Sequence, residues 1–156
     1  MGKIRSVLFV CTGNSCRSVM AEGLLKKRLK ELGKSGIIVR SAGTRAINGY
    51  PPTNETIEVL KKEGADIGEF KSTAITDEII NGSDLILVMS RAHKEEIINR
   101  VPGAAAKTFL LREYGRAEGV DNIDPDIPDP IGLPVSGYKV CMEMIKEDIE
   151  RVAKIL

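Results

Sequence analysis

Two short apolar runs constrain the fold of this 156-residue chain more than any other feature of its sequence. Residues 6–10 and 85–89 consist mainly of β-branched, aliphatic and aromatic side chains, without the polar alternation of a strand that has one face in water. Runs of this kind are typical of strands that are buried on both faces of a parallel sheet. The chain is therefore predicted to contain a parallel sheet that is covered on both faces.

Helical patterns alternate with the strands along the rest of the chain. Apolar residues at helical spacing predict helices at residues 20–32, 53–63, 76–79, 91–100 and from about 136 to 156, and two further strands are predicted at 37–39 and 107–111. The alternation predicts an α/β fold in one domain, residues 1–156: a doubly wound, four-stranded parallel sheet with helices on both faces. Ligands of such folds bind beyond the carboxyl ends of the strands.

The segment between the first strand and the first helix is predicted to be a phosphate-binding loop, Cys11-Thr12-Gly13-Asn14-Ser15-Cys16-Arg17-Ser18. A turn at this place directs backbone N–H groups and the positive end of a helix dipole at one point. Gly13 and Asn14 tolerate the unusual dihedral angles of a tight ring, and the Arg17 guanidinium can bind two phosphate oxygens. The same positive field favours a nucleophilic thiolate at Cys11, to which Ser18 is placed to donate a hydrogen bond.

Composition and spacing exclude several other classes of site. The charged residues nearly cancel, at a net charge of +1, and aromatic residues make up only 4%, so we expect no nucleic-acid partner. We expect no membrane partner either, because no run of about 18 apolar residues exists. Cys11 and Cys16 lack zinc-site spacing, and the only histidine, His93, lies far along the chain, so no metal is predicted. Three cysteines, an odd number, suit the reducing cytoplasm.

A thiol nucleophile that attacks phosphorus needs a group that protonates the leaving oxygen and then activates water. The loop at residues 121–134 offers four aspartates for this role: Asp121, Asp124, Asp126 and Asp129. Asp124 and Asp129 precede proline, which restrains the backbone of the preceding residue, but residue types alone do not choose between them. His93 belongs to a highly charged helical segment and is predicted to lie at the surface.

The eight-residue loop closely resembles the phosphate loop of the low-molecular-weight protein tyrosine phosphatases, and the resemblance runs the length of the chain through Ser41-Ala42-Gly43, residues 84–89 and Asp129-Pro130. It implies that Cys11 is the nucleophile, Arg17 binds phosphate and Asp129 is the general acid, without a metal or a cofactor. Asn14 and Ser41 would brace the loop, and Ser18 would support the thiolate. The implied ligands are phosphorylated proteins and inorganic phosphate or a similar oxyanion, and we expect a monomer.

The sequence departs from the tyrosine-directed pattern at two places. Ile131-Gly132 follow Asp129-Pro130 where the tyrosine-directed members carry aromatic residues, and Ser15 stands where they tend to carry a bulky aliphatic residue. The related protein arginine phosphatases have Thr at the position of Ser15 and Asp-Pro-Phe-Gly in the acid loop, so this sequence looks somewhat closer to them. Phosphotyrosine and phosphoarginine therefore both stay open as substrates.

The remaining alternatives concern the cysteines. Thioredoxin-coupled arsenate reductases share this fold and often this loop, but they need further cysteines just after the third strand, and residues 88–93 contain none. The absence argues against a reductase. Cys16 either packs in the core or traps a sulfenic acid on Cys11 as a disulfide. Cys141 is predicted to be buried and inert.

Overall fold

The computed structural model describes residues 2–117 and 123–156, so the candidate Asp121 lies outside the described residues. Four strands form one parallel sheet: β1 (Ser6–Cys11), β2 (Ile38–Gly43), β3 (Leu85–Val88) and β4 (Thr108–Leu110). Their order in the sheet is β2-β1-β3-β4. The predicted four-stranded parallel sheet is confirmed.

Within the described residues, the α-helices are α1 (Arg17–Glu31), α2 (Asn54–Lys62), α3 (Asp77–Asn81), α4 (Arg91–Arg100) and α5 (Val135–Ile155). Thr53, Thr76 and Ser90 begin three of them, because each hydroxyl accepts a hydrogen bond from the backbone N–H three residues later. A 3₁₀ helix at Pro102–Lys107, which the sequence patterns did not predict, leads into β4. In the part of the chain that the structure describes, no helix combines the length and apolarity needed to span a bilayer.

The sheet carries an apolar cluster on each face. Val7 and Phe9 of β1 belong to the cluster that includes α1 and α5, whereas Leu8 and Val10 belong to the cluster that includes α4. Successive side chains of a strand point to opposite faces, so this division places helices on both sides of the sheet. The doubly wound architecture predicted from the alternation of strands and helices is confirmed.

Strand β2 is longer than predicted, because it continues through the polar segment 40–43 beside β1. The pairing runs in register from Ser6 opposite Ile38 to Cys11 opposite Gly43. At its end β2 comes very close to the loop: a Cβ atom on Gly43 would lie 2.5 Å from the Thr12 carbonyl oxygen and 2.8 Å from the Asn14 nitrogen. Only glycine permits this approach, which brings β2 against the segment that follows β1.

The order of the strands places a crevice at the carboxyl end of β1. The chain passes from β1 to β2 on one side and later returns to β3 on the other side. Connections that leave in opposite directions open a gap beyond the strand ends, which is where ligands of doubly wound sheets bind. The loop from Thr12 to Cys16 begins at this point and runs into the N-terminus of α1.

Candidate active site

Cys11 is the last residue of β1, and its side chain lies at the base of the phosphate loop, residues 11–18. The residue is only 2% exposed. The Ser18 hydroxyl oxygen, in the first turn of α1, lies 2.9 Å from the Cys11 Sγ atom. The N-terminus of a helix and a hydroxyl donor both favour negative charge on sulfur, so the arrangement suits a thiolate nucleophile.

The Arg17 guanidinium is buried and is held from several sides. Its Nη1 donates to the carbonyl oxygen of Ile127 at 2.9 Å, and its Nη2 donates to the Thr12 hydroxyl at 3.3 Å. The same Nη2 lies 3.6 Å from the Asp129 Oδ2 atom. Arg17 therefore connects the phosphate loop with the segment that carries Asp129, and its planar fork can donate to the oxygens of a bound phosphate.

Asn14 hydrogen-bonds within the phosphate loop and joins the loop to two other parts of the molecule. Its φ of 53° lies in the left-handed region, which no other non-glycine residue occupies in the described parts of the chain. Its Nδ2 donates to the Ser18 hydroxyl at 2.8 Å and to the Ser41 hydroxyl at 2.9 Å, and its Oδ1 accepts from the Thr73 backbone N–H at 2.8 Å. Asparagine tolerates this backbone conformation and supplies all three hydrogen bonds.

The donors and acceptors around Asn14 direct a hydrogen toward the nucleophile. The Ser41 hydroxyl donates to a carboxylate oxygen of Glu22 at 2.7 Å, so Ser41 receives the Asn14 hydrogen bond as an acceptor. Ser18 also accepts from the Asn14 amide, which leaves its own hydroxyl hydrogen available for the Cys11 sulfur. The network therefore orients Ser18 as a donor to a thiolate.

Glu22 is a site residue that the sequence patterns did not identify. It is 8% exposed, and its second carboxylate oxygen accepts from the Lys26 ammonium group at 2.7 Å. A signal for it existed: Glu22 follows Ser18 by four residues and precedes Lys26 by four, so the three side chains share one face of α1. A carboxylate there fixes the direction of the hydrogen bonds of Ser41.

The acid loop, residues 123–134, presents its aspartates in different environments. Asp126 accepts hydrogen bonds from the Arg91 guanidinium at 3.1 Å and from the Arg91 backbone N–H at 2.8 Å, and these bonds lower the pKa of Asp126. Asp124 accepts the Asp126 N–H at 3.0 Å and lies 3.9 Å from Arg91. Of the aspartates in this loop that the structure describes, Asp129 is the one paired with Arg17.

Comparison with known proteins agrees with this geometry. The family model described as low molecular weight phosphotyrosine protein phosphatase matches residues 6–156. This chain belongs to that family. A protein-arginine-phosphatase from Geobacillus stearothermophilus is 37% identical to this phosphatase over 150 residues, which cover 96% of this chain and 95% of the relative.

Solved structures of the family superimpose closely on this phosphatase. A low molecular weight protein tyrosine phosphatase from T. tengcongensis has a TM-score of 0.87 at 38% identity, covering 97% of this chain and 99% of the other. A mutant of the YwlE arginine phosphatase with a phosphorylated active-site serine has a TM-score of 0.87 at 32% identity, covering 97% and 95% of the two chains. Both the tyrosine-directed and the arginine-directed branches are therefore similar to this chain.

His93 lies against the phosphate loop of this phosphatase, and the prediction that it lies at the surface is wrong. The residue is 6% exposed, with its Nε2 atom 2.8 Å from the Thr12 hydroxyl and its Nδ1 atom 2.8 Å from the Ser90 hydroxyl. Burial, together with the positive charge of Arg17, lowers the pKa of His93 to about 4. Helix α4 begins soon after β3, and β3 lies next to β1 in the sheet. The first turn of α4 therefore lies at the carboxyl end of the sheet, beside the phosphate loop.

The three cysteines are free, buried thiols. Cys16 Sγ lies 3.6 Å from the Tyr138 hydroxyl and 3.7 Å from the Thr53 hydroxyl. Cys141 lies in α5, outside the phosphate loop, and burial raises its pKa to about 12. The prediction that Cys141 is buried is confirmed, and a thiol with a raised pKa favours the protonated form at neutral pH.

Proposed function

We propose that this phosphatase hydrolyses phosphorylated proteins with Cys11 as nucleophile, Arg17 as phosphate ligand and Asp129 as general acid. The observation that carries the proposal is that these groups lie together at the carboxyl end of the sheet. Ser18 is oriented to donate to the Cys11 sulfur, and the Arg17 guanidinium lies 3.6 Å from the Asp129 carboxylate. The phosphate contacts are assigned to the loop residues Thr12, Gly13, Asn14, Ser15, Cys16, Arg17 and Ser18.

In the first step the Cys11 thiolate attacks phosphorus. A sulfur–phosphorus bond forms while the bond to the leaving oxygen or nitrogen breaks, and Asp129 gives that atom its proton. Backbone N–H groups of the loop and the Arg17 guanidinium donate hydrogen bonds to the phosphoryl oxygens, whose charge changes most in the transition state. The products are the dephosphorylated protein and a phosphocysteine at Cys11.

In the second step a water molecule attacks the phosphocysteine. Asp129, now a carboxylate, takes a proton from the water, and the sulfur–phosphorus bond breaks as the new oxygen–phosphorus bond forms. The leaving thiolate of Cys11 accepts the hydrogen bond of Ser18, which the Asn14 network has already oriented. Inorganic phosphate leaves, and the starting state of the enzyme is restored.

The substrate is proposed to be phosphotyrosine or phosphoarginine on proteins. Similarity to both branches of the family supports the pair, and two local features bear on the choice. Ser15 places a small polar group inside the loop, and Ile131, 59% exposed, follows Asp129-Pro130 in place of an aromatic residue. An aliphatic side chain there leaves an aryl ring without a stacking partner. Activity on aryl phosphates is expected in either case, because an aryloxide leaves easily.

Phosphate release from matched peptides that carry phosphotyrosine or phosphoarginine tests the proposal, with Cys11→Ser as the blank. A strong preference for phosphoarginine would assign the selection to Ser15, and Ser15→Ile should then shift the preference toward phosphotyrosine. A preference for phosphotyrosine would show that the family activity persists without an aromatic clamp. Release from neither peptide would refute the phosphatase proposal.

We further propose that Cys16 protects Cys11 from irreversible oxidation. Peroxide would convert the Cys11 thiolate to a sulfenic acid, and the Cys16 sulfur would displace water to form a disulfide that a dithiol reductant cleaves. Both thiols are free and buried in the same loop. Free thiols fit a reducing compartment such as the cytoplasm. After peroxide and then dithiothreitol, Cys16→Ser should recover less activity than the parent or Cys141→Ser. Equal recovery would refute the role.

A further inference from the structure

We propose that His93 is a positioning residue: through the Thr12 hydroxyl it holds the Arg17 guanidinium in the orientation that receives phosphate. The proposal rests on the phosphatase function proposed above and extends the same site to a residue from another helix. His93 lies in the first turn of α4, while Thr12 and Arg17 lie at the two ends of the loop that follows β1.

Four side chains form one continuous row of hydrogen bonds. Ser90 Oγ lies 2.8 Å from His93 Nδ1, and His93 Nε2 lies 2.8 Å from Thr12 Oγ1. Thr12 Oγ1 then accepts from Arg17 Nη2 at 3.3 Å. Both ring nitrogens are engaged, so the imidazole cannot turn without losing a hydrogen bond. The cap of α4 is thereby connected to the phosphate-binding guanidinium.

The hydrogens in this row can be assigned in two ways, and Arg17 is satisfied in both. If Thr12 donates to Nε2, then Nδ1–H donates to Ser90; if Nε2–H donates to Thr12, then Ser90 donates to Nδ1. In either tautomer Thr12 Oγ1 keeps a lone pair for Arg17, because a hydroxyl has one hydrogen and two acceptor positions. The neutral ring is therefore sufficient to orient Thr12.

The surroundings of His93 keep the ring neutral at physiological pH. Burial and the positive charge of Arg17 oppose a charged imidazole, whereas the carboxylates of Glu96, Asp129 and Asp126 favour it and are outweighed. A neutral ring adds no second positive charge to the phosphate site. Its contribution is accordingly geometric, and it acts on phosphate through Thr12 and Arg17.

Arg17 needs this support because its two terminal nitrogens are drawn in different directions. Nη1 is fixed on the Ile127 carbonyl oxygen, while Nη2 lies between the Thr12 hydroxyl and the exposed Asp129 carboxylate. Without an oriented Thr12 hydroxyl, Nη2 would be left with Asp129 alone. A guanidinium turned toward Asp129 is less well aligned for phosphate, so phosphate affinity is the quantity that His93 should control.

A matched pair of substitutions at position 93 tests this contact. The amide of Asn reaches the place of Nδ1 and keeps the Ser90 hydrogen bond, whereas the longer Gln reaches the place of Nε2 and keeps the Thr12 hydrogen bond. His93→Asn should weaken competitive inhibition by inorganic phosphate about 3- to 10-fold, with a matching rise in KM for an aryl phosphate, the loss of one neutral hydrogen bond. His93→Gln should stay within about twofold of the parent.

A double substitution shows whether His93 acts through Thr12. Thr12→Val removes the hydroxyl and keeps the shape of the side chain, so adding His93→Asn to Thr12→Val should weaken phosphate inhibition no further. Thr76→Ala is the stability control: it removes the cap of α3, away from the site, and should lower Tm without changing phosphate inhibition.

The outcomes separate this proposal from the function on which it rests. If the parent enzyme turns over phosphopeptides but His93→Asn leaves phosphate inhibition and KM unchanged, the positioning role is refuted and the phosphatase function stands. Additive effects of Thr12→Val and His93→Asn would likewise refute action through Thr12. If the parent releases no phosphate from any phosphopeptide, the proposed function itself fails.

Discussion

The phosphate loop and the acid loop meet at Arg17, yet they are held in opposite ways. Asn14 and Ser18 of the phosphate loop are fully buried and hydrogen-bonded to each other, and Asn14 is also bonded to Ser41 of β2, whereas the side chain of Asp129 is 41% exposed. Ile127 anchors the acid loop in the core through backbone hydrogen bonds with Met89 and Arg17, whereas the aspartates of the loop make exposed contacts with Arg91 and hydrogen bonds within the loop. A phosphate site needs donors that are fixed in advance, while an acid that serves different leaving groups benefits from freedom to adjust.

The largest effect on activity is expected in the phosphate loop, the more rigid of the two loops. Cys11→Ser should lower kcat/KM for an aryl phosphate by about 10⁴-fold or more, because a serine hydroxyl is a far weaker nucleophile than a thiolate at neutral pH. Steady-state phosphate release measures the change. Cys141→Ser, which alters a buried thiol outside the loop, is the control and should stay within a few-fold of the parent. Comparable losses in the two variants would contradict the assignment of Cys11.

In the acid loop, the effect of a substitution on activity should depend on the leaving group of the substrate. Asp129→Ala should lower kcat/KM about 10²–10⁴-fold for an alkyl or peptide phosphate whose leaving group needs protonation, and much less for a nitrophenyl phosphate. The measurement is kcat/KM against leaving-group pKa, because kcat/KM reports the steps up to formation of the phosphocysteine. Asp124→Ala and Asp126→Ala are the matched controls, since both carboxylates form ion pairs with Arg91 and not with Arg17. A larger loss in either control would move the acid role away from Asp129.

The rigidity of the phosphate loop predicts a large cost in stability at Asn14. Asn14→Ala should lower the free energy of unfolding by about 3–4 kcal/mol, because three hydrogen bonds are lost, two of them buried, and alanine is strained at a φ of 53°. Asn14→Gly loses the same hydrogen bonds without the strain, so it should be more stable than Asn14→Ala by about 1 kcal/mol. Urea unfolding measures both. Equal stability of parent and alanine variant would show that the network does not hold the loop.

Acid should weaken the fold through His93. The pKa of His93 is lowered to about 4 in the folded protein, while an unfolded histidine titrates near 6.5. The unfolded chain therefore binds the extra proton first as the pH falls from about 6.5 to 4, which removes about 2–3 kcal/mol of stability. Urea unfolding at several pH values, compared between the parent and His93→Gln, isolates the contribution of His93 to the free energy of unfolding. A single histidine that titrates near 6.5 in the folded protein by NMR would contradict the prediction.

The smallest effect is expected where the acid loop meets Arg91. Asp126→Asn should change kcat/KM by less than about twofold, because exposed ion pairs are weak and screened by salt. Phosphate release at low and high ionic strength tests this expectation. A loss as large as that of Asp129→Ala would show that the acid loop is held as firmly as the phosphate loop.

The same contrast explains what the sequence could and could not predict. Phe9 and Leu87 belong to uninterrupted apolar runs, and such runs predict buried parallel strands by local chemistry alone. Cys11 and Arg17 were recognisable because the loop between a strand and a helix is also local. The place of His93 and the contact between Arg17 and Asp129 depend on which strands become neighbours, which no short pattern records.

His93 shows the difference most clearly. Its helix is rich in charge, so composition favoured a surface position, and the order of the strands in the sheet reversed that expectation. Ser41 gives a milder case: the strand that contains it was predicted to end at residue 39, but pairing with β1 carries β2 through the polar segment to Gly43. Tertiary neighbours decided both outcomes.

The most direct test of the central claim is to trap the phosphorylated enzyme. Asp129→Ala should slow the second step, so rapid mixing with a nitrophenyl phosphate and quenching at neutral pH should leave the intermediate in place. Mass spectrometry of the digested protein then locates the phosphoryl group. We predict a phosphoryl group on the peptide that contains Cys11, absent when Cys11 is replaced by Ala, which has no nucleophilic atom. Turnover without any phosphorylated peptide, or with the phosphoryl group on another residue such as His93, would contradict the account.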